Sequence, residues 1–160
     1  MRPLILLPVL AAFAAAADFS TGLHAYEKGD YNAAAAEWRP LAEKGDAPSQ
    51  FNLGLLYIDG HGVPQDYSLA AHWFERAAEQ DYTKAQLNLG ALYGVGRGVK
   101  RDYVQAYKWL NLCAAKGDPK CVAQRDLVAQ RLKSKDLATA QRLARDFKPQ
   151  QEPGKDNPDR

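Results

Sequence analysis

Two cysteines, three histidines and one basic glycine-rich stretch are the parts of this 160-residue chain whose types and spacing could do chemistry. The stretch is GVGRGVKRDY, Gly94 to Tyr103, with glycines at alternate positions ahead of Lys100 and Arg101. Glycine loops followed by positive charge hold phosphates, because their backbone N–H groups can converge on an anion. A second stretch, IDGHGVPQDY (Ile58 to Tyr67), repeats the pattern with Gly60 and Gly62 at the places of Gly96 and Gly98. There His61, Pro64 and Gln65 replace Arg97, Lys100 and Arg101, so the basic charge does not recur. No predicted strand precedes either copy, as a dinucleotide fingerprint requires. What repeats is a turn: two glycines for unusual backbone angles, a small apolar plug at Val63 or Val99, and an aspartate.

The rest of the chemical inventory is thin. His24, His61 and His72 fall on different elements and show no metal-ligand spacing. No serine sits in a G-x-S-x-G elbow, and Glu75, Glu79 and Asp81 read as a solvated helix end. No catalytic residue, metal ligand or cofactor is assigned, and the chain reads as a non-enzyme. Its formal net charge of +2, with both signs dispersed, is not that of a nucleic-acid binder, whose affinity rests on neutralising phosphates.

The elements that position these residues form a repeat. A shift of 36 residues lays Ser49–Ala78 on Ala85–Ala114. Asn52, Leu53, Gly54 and Tyr57 fall on Asn88, Leu89, Gly90 and Tyr93, and Asp66, Tyr67, Ala70 and Trp73 on Asp102, Tyr103, Ala106 and Trp109. Each unit predicts a helix, a glycine connector and a second helix. Tyr67, Ala70, Trp73, Phe74 and Ala77 share one face of the second helix, and Asp66 is placed as its N-cap. Leu53, Leu56 and Tyr57 mark the buried side of the first. Gly54 and Gly90 lie inside predicted helices, where glycine costs about 1 kcal/mol relative to alanine; close approach to small residues such as Ala70 and Ala106 is the expected compensation.

A shorter unit, about residues 18–46, precedes repeats at about 47–82 and 83–118. In it Lys28-Gly29-Asp30 replaces the long connector, Trp38 aligns with Phe74, and Pro40 should bend the second helix. Capping helices at about Pro119–Leu132 and Lys135–Phe147 should close a stack ending at residue 147. The tail 148–160, with three prolines and no aliphatic residue, reads as disordered. At the other end, Arg2, an apolar run from Leu4 to Phe13 and Ala15-Ala16-Ala17 read as a cleaved secretory signal, residues 1–17. That run is shorter than the ~20 residues that span a bilayer. The expected address is periplasmic or secreted, with no membrane span after cleavage.

NLGLLYIDGHGVPQDYSLAAHWFERAAEQ and NLGALYGVGRGVKRDYVQAYKWLNLCAAKGD resemble Sel1-like repeats, relatives of tetratricopeptide repeats, and EKGDYNAAAAEW is similar to the tetratricopeptide form. The resemblance implies an all-α fold, an α/α solenoid of stacked antiparallel helix pairs whose first helices line a concave groove. It also implies a monomeric scaffold for a protein or peptide partner, of the kind that serves as an adaptor in envelope signalling. Stacked helix pairs do create extended concave surfaces suited to binding. Asn52 and Asn88 match the asparagine that faces bound peptide in tetratricopeptide grooves, and an amide can pair with an extended backbone through donor and acceptor. A structural role, bonding a neighbouring helix or loop, is the alternative. Gln50, Gln86 and Lys84 lie near the same expected groove, whereas Tyr57 and Tyr93 read as core.

Cys113 and Cys121 occupy the places of Ala77 and Ala85, which should face each other across a helical hairpin. With an oxidising address a disulfide is expected; a redox-active pair or two free thiols are the alternatives. CAAKGDPKC also resembles the cysteine pairs of cysteine-rich Sel1-like proteins secreted by Helicobacter. Those relatives imply a further reading, a β-lactam-binding or hydrolysing enzyme; a peptidoglycan-binding envelope protein is a separate alternative.

Overall fold

Aspartate starts most of the helices. In the computed structural model, which describes residues 17–152, eight helices and no strand are present among the described residues. They are α1 (Phe19–Glu27), α2 (Tyr31–Glu43), α3 (Ala47–Asp59), α4 (Tyr67–Glu79), α5 (Thr83–Val95), α6 (Tyr103–Ala114), α7 (Pro119–Ala129) and α8 (Ser134–Arg145). Asp18, Asp30, Asp46, Asp66, Asp102 and Asp118 each accept a backbone N–H from the first turn that follows. Such a cap satisfies a donor that has no partner within the helix, for about 1 kcal/mol. The expected signal, 1–17, lies outside the described residues except for Ala17, and residues 153–160 also lie outside them. No described helix is long and apolar enough to cross a membrane.

The helices pair as an all-α solenoid: α1 with α2, α3 with α4, α5 with α6, and each pair packs against the next through α2–α3, α4–α5 and α6–α7 contacts. The capping helices take the places of a further pair, with α7 against α5 and α8 against α6. Pro40 lies inside α2, which continues past it to Glu43.

Glycine sets both the turns and the packing. Gly60 and Gly96 end α3 and α5 in the left-handed conformation, at φ 70° and 73°. Two residues on, Gly62 and Gly98 are also at positive φ, 68° and 73°, and rest on the backbone that opens the preceding second helix. A Cβ on Gly62 would lie 2.7 Å from the Asn32 nitrogen, and one on Gly98 2.8 Å from that of Ser68.

The glycines inside the helices do something other than expected. A Cβ on Gly54 would lie 2.5 Å from Cε1 of Phe74, and one on Gly90 2.7 Å from Cγ of Leu110. In the first pair Gly22 likewise receives the indole of Trp38. The absent side chains therefore make room for large ones rather than for a backbone opposite Ala70, although Gly90 does also approach the Ala106 carbonyl. Trp38, Phe74 and Leu110 are all at most 1% exposed. Fully burying such a side chain contributes about 1.5–3 kcal/mol, more than the helical glycine costs.

The first residues of the tail touch the repeats. Residues 148–151 are exposed, but the segment is tied to the repeats at two points: the Gln150 N–H donates to the Glu79 carbonyl at 2.8 Å, and the half-buried Glu152 carboxylate receives both Nε and Nη2 of Arg76. A polar composition gave no hint of this, because one contact is made by backbone and the other pairs side chains 76 residues apart.

Candidate functional site

Two amides two residues apart on one helix point to opposite sides, because each residue turns the helix by about 100°. Gln50 and Asn52 on α3, and Gln86 and Asn88 on α5, divide in this way. Gln50 and Gln86 are 0% exposed. Gln50 donates through Nε2 to the Ala42 carbonyl at 3.0 Å and accepts through Oε1 from Gln80 at 2.9 Å. Gln86 repeats the arrangement, donating to the Ala78 carbonyl at 3.4 Å and accepting from Lys116 Nζ at 3.4 Å. Each glutamine thus ties the end of the preceding second helix to the end of its own pair's second helix. The expectation that they contact a ligand is corrected: neither reaches solvent. The signal was present in the sequence, since Gln50, Leu53 and Tyr57 share one helical face at spacings of three and seven.

Asn52 and Asn88 are half-buried, and neither side-chain amide makes a hydrogen bond among the described residues. Asn88 lines a groove of about 240 Å³ between α3 and α5, with Leu55, Ile58, Ala91 and Val95 on its sides and Phe74 at its floor. A second groove of about 380 Å³ follows between α5 and α7, where Ala91 and Val95 meet Leu127 and Val128 above Leu110. Val95 is 68% exposed and Leu127 63%. The groove walls are residues that the sequence reading missed. Leu55, Ala91 and Leu127 recur at intervals of 36 on the face of the asparagines, and Leu23 holds the matching place in the short unit. Lys84 is exposed in the first turn of α5 and lines neither groove.

Two of the histidines, His61 and His72, lie against aromatic rings, and His24 is exposed on α1. His61 stacks on Tyr31 with ring centroids 4.4 Å apart. One repeat later Arg97 takes its place, its guanidinium 4.8 Å from the centroid of Tyr67. His72 packs edge-on against Trp73. Each connector therefore clamps the aromatic that opens the preceding second helix, which is the role of the stretch that resembled a phosphate loop.

The two tyrosines differ. Tyr57 is buried and accepts from Arg39 Nη1 at 3.2 Å, whereas Tyr93 faces a cleft of about 760 Å³ shared with Glu75, Lys100, Arg101 and Asp102. Burial, with the charges of Glu75 and Asp102, pushes the Tyr93 phenol above its ordinary value. Lys108 is pushed down by burial, against the opposing pull of Glu79 and Glu75, and lies 3.9 Å from the Trp109 ring centroid. The Trp109 indole N–H is buried with no acceptor, a deficit of about 1–3 kcal/mol; the N–H of Trp38, which stands at the place of Leu110 rather than of Trp109, donates to the Phe19 carbonyl at 3.3 Å.

Cys113 and Cys121 form a disulfide between the end of α6 and the start of α7, with Cα atoms 5.7 Å apart. Both are fully buried, as are Ala77 and Ala85 at the corresponding places. The Asp118 carboxylate beside the sulfurs is occupied in capping α7.

A family model for the Sel1 repeat matches residues 47–82 and 83–118. A comparison with curated proteins finds no match. Among solved structures, the chain is similar to a Sel1 repeat protein from Oxalobacter formigenes, at 34% identity and a TM-score of 0.62, covering 68% of this chain and 84% of that one. It is also similar to a protective antigen present in uropathogenic Escherichia coli strains and displaying an SLR fold, at 33% identity and a TM-score of 0.75. That match covers 79% of this chain but only 28% of the antigen, so the chain spans under a third of that relative's length. With two matched repeats, the paired-helix architecture and this identity to a Sel1 protein over most of both chains, the chain belongs to the Sel1 repeat family.

Proposed function

We propose that this protein is an extracytoplasmic interaction scaffold that holds an extended segment of a partner polypeptide across α3, α5 and α7. Sel1 repeats are in general protein–protein interaction scaffolds rather than enzymes, and the groove gives that role a location. The observation that carries the reading is the pair of consecutive grooves walled by half-buried Leu55 and exposed Val95 and Leu127, with the unpaired Asn88 amide lining the first. Apolar walls supply affinity through area removed from water. An amide that makes no internal hydrogen bond can meet both the N–H and the C=O of an extended chain. The disulfide supports an oxidising compartment, since such bonds are rare where thiols are kept reduced.

The test is photo-crosslinking in cells with the reactive residue at position 52, 88 or 95, and at exposed Gln141 on α8 as the control. A discrete polypeptide adduct from the groove positions and none from 141 is expected. Equal labelling at all four, or an adduct with cell-wall glycan instead of polypeptide, would overturn the assignment.

A further inference from the structure

The chain already shows a peptide docked on the other side of the solenoid. Residues 147–152 run back from α8 over the second helices. Phe147 meets the Trp109 ring edge-to-face, centroids 5.5 Å apart, with Lys108 Nζ 5.5 Å from the Phe147 centroid. The Gln150 N–H bonds the last carbonyl of α4, that of Glu79. Glu152 pairs with Arg76 and packs on Gly45, the turn that follows α2. One segment therefore touches three successive pairs. Neighbouring helices lie ~8–10 Å apart, and five extended residues reach roughly 17 Å, so only an extended chain bridges them.

We propose that this face is a second peptide-binding surface, now occupied by residues 147–152, and that it accepts in their place an extended partner segment with an aromatic ring five residues ahead of a carboxylate. Two observations distinguish a receptor from a mere tether. Arg76 is held independently of the tail: its guanidinium lies 4.9 Å from the Trp73 centroid and donates to the Glu43 carbonyl at 3.3 Å. The carboxylate site is thus preformed by the repeats, and preorganisation lowers the cost of binding. Secondly, the present occupant leaves the Trp109 N–H without an acceptor although the indole is only 2% exposed. A rival segment that offers a carbonyl there gains a hydrogen bond that the tail does not make. The tail itself holds on by one ring, one backbone bond and one ion pair. This inference does not rest on the groove of α3, α5 and α7, and either can fail alone.

The probe is a fluorescent, photoreactive peptide of residues 146–153, DFKPQQEP, with a scrambled version as control. The full chain should bind it weakly, because a tethered competitor acts at an effective concentration of about millimolar. Phe147→Ala/Glu152→Gln, which disarms the tail and leaves the receptor intact, should bind it about tenfold more tightly or better. Adding Arg76→Gln should abolish the gain, and cross-links should map to α4 and α6. No preference over the scrambled peptide, or cross-links to α3 and α5, would overturn the proposal. Hydrogen exchange on the unaltered chain tests it without any substitution. The Gln150 amide should exchange through local opening, far faster than the amides inside α4, and faster still with the probe present. Exchange of Gln150 only at the rate of global unfolding would make the tail an integral part of the fold and sink the idea.

Discussion

The first and second steps of the solenoid are built from the same joints but filled differently. At the first, Arg39 reaches Tyr57, His61 covers Tyr31, and Gln80 joins Gln50. At the second, Glu75 stands where Arg39 does, Tyr93 faces an open cleft, Arg97 covers Tyr67, and Lys116 joins Gln86. The turns differ too. Gly45 and Gly117 occupy the left-handed position and the next residue, an aspartate, caps the helix. In the middle turn Asp81 itself is left-handed, at φ 69°, and Tyr82 holds the N-cap position of α5 with no side-chain cap. Asp81 instead accepts from Gln86 at 2.9 Å and from Lys116. What stays constant is geometry that no other side chain can supply: glycine where backbones touch, a glutamine amide where helix ends meet. What changes is polar filling, and there the surface can diverge toward a partner.

The strongest test of that division is at the connector glycines. Gly62→Ala or Gly98→Ala combines left-handed strain, about 1–2 kcal/mol, with overlap against backbone that cannot rotate away, about 1–3 kcal/mol. A loss of about 3 kcal/mol is expected at each step, measured by urea unfolding. Gly29→Ala, at φ 79° with open space around it, should cost only the strain, about 1 kcal/mol. Equal losses at Gly29 and Gly62 would show that turn conformation alone, and not contact between pairs, sets the step.

Next comes the disulfide, which replaces the Ala77–Ala85 contact at one turn only. Closing so short a loop should stabilise by about 2–3 kcal/mol on the chain-entropy model. Cys113→Ala/Cys121→Ala should therefore unfold at lower urea, with exchange accelerated in α7 and α8 first. Uniform acceleration through α3 and α4 would mean that the pairs are not nearest-neighbour units.

Smaller still is the contrast between the amide rows. Gln50→Leu removes two buried hydrogen bonds, each worth about 0.5–1.5 kcal/mol net, so a loss of about 1–2 kcal/mol is expected. Asn52→Leu, on the solvent side, should change stability by within about 0.5 kcal/mol. This contrast also marks what could be read in advance. The repeat, its aspartate caps and its glycine turns were legible because each is local and recurs at a fixed spacing. The glutamines were misassigned to the groove although their helical register with Leu53 and Tyr57 was available. The contacts that fill the helical glycines and the contacts of the tail were not legible. Phe74 lies 20 residues from Gly54 and Glu152 76 from Arg76, and one sequence carries no signal that pairs them.

The smallest effect is a pH dependence at the second step. Glu79, at the end of α4, is pushed above the ordinary carboxyl value by burial first and then by the charge of Glu75, while Lys108 pulls it back and Glu152 adds a little. The folded state therefore holds its proton to higher pH than the unfolded chain. Between the ordinary value and the raised one, folding takes up protons, so stability falls as pH rises through that window. Glu79→Gln removes both the titration and the repulsion. It should flatten the slope of stability against pH in the mildly acidic range and raise stability at neutral pH, as followed by urea midpoints across that range. The first step has Glu43 at the corresponding helix end, so Glu43→Gln serves as the comparison. A slope that survives Glu79→Gln, or one removed equally by Glu43→Gln, would place the titrating group elsewhere and remove this difference between the two steps.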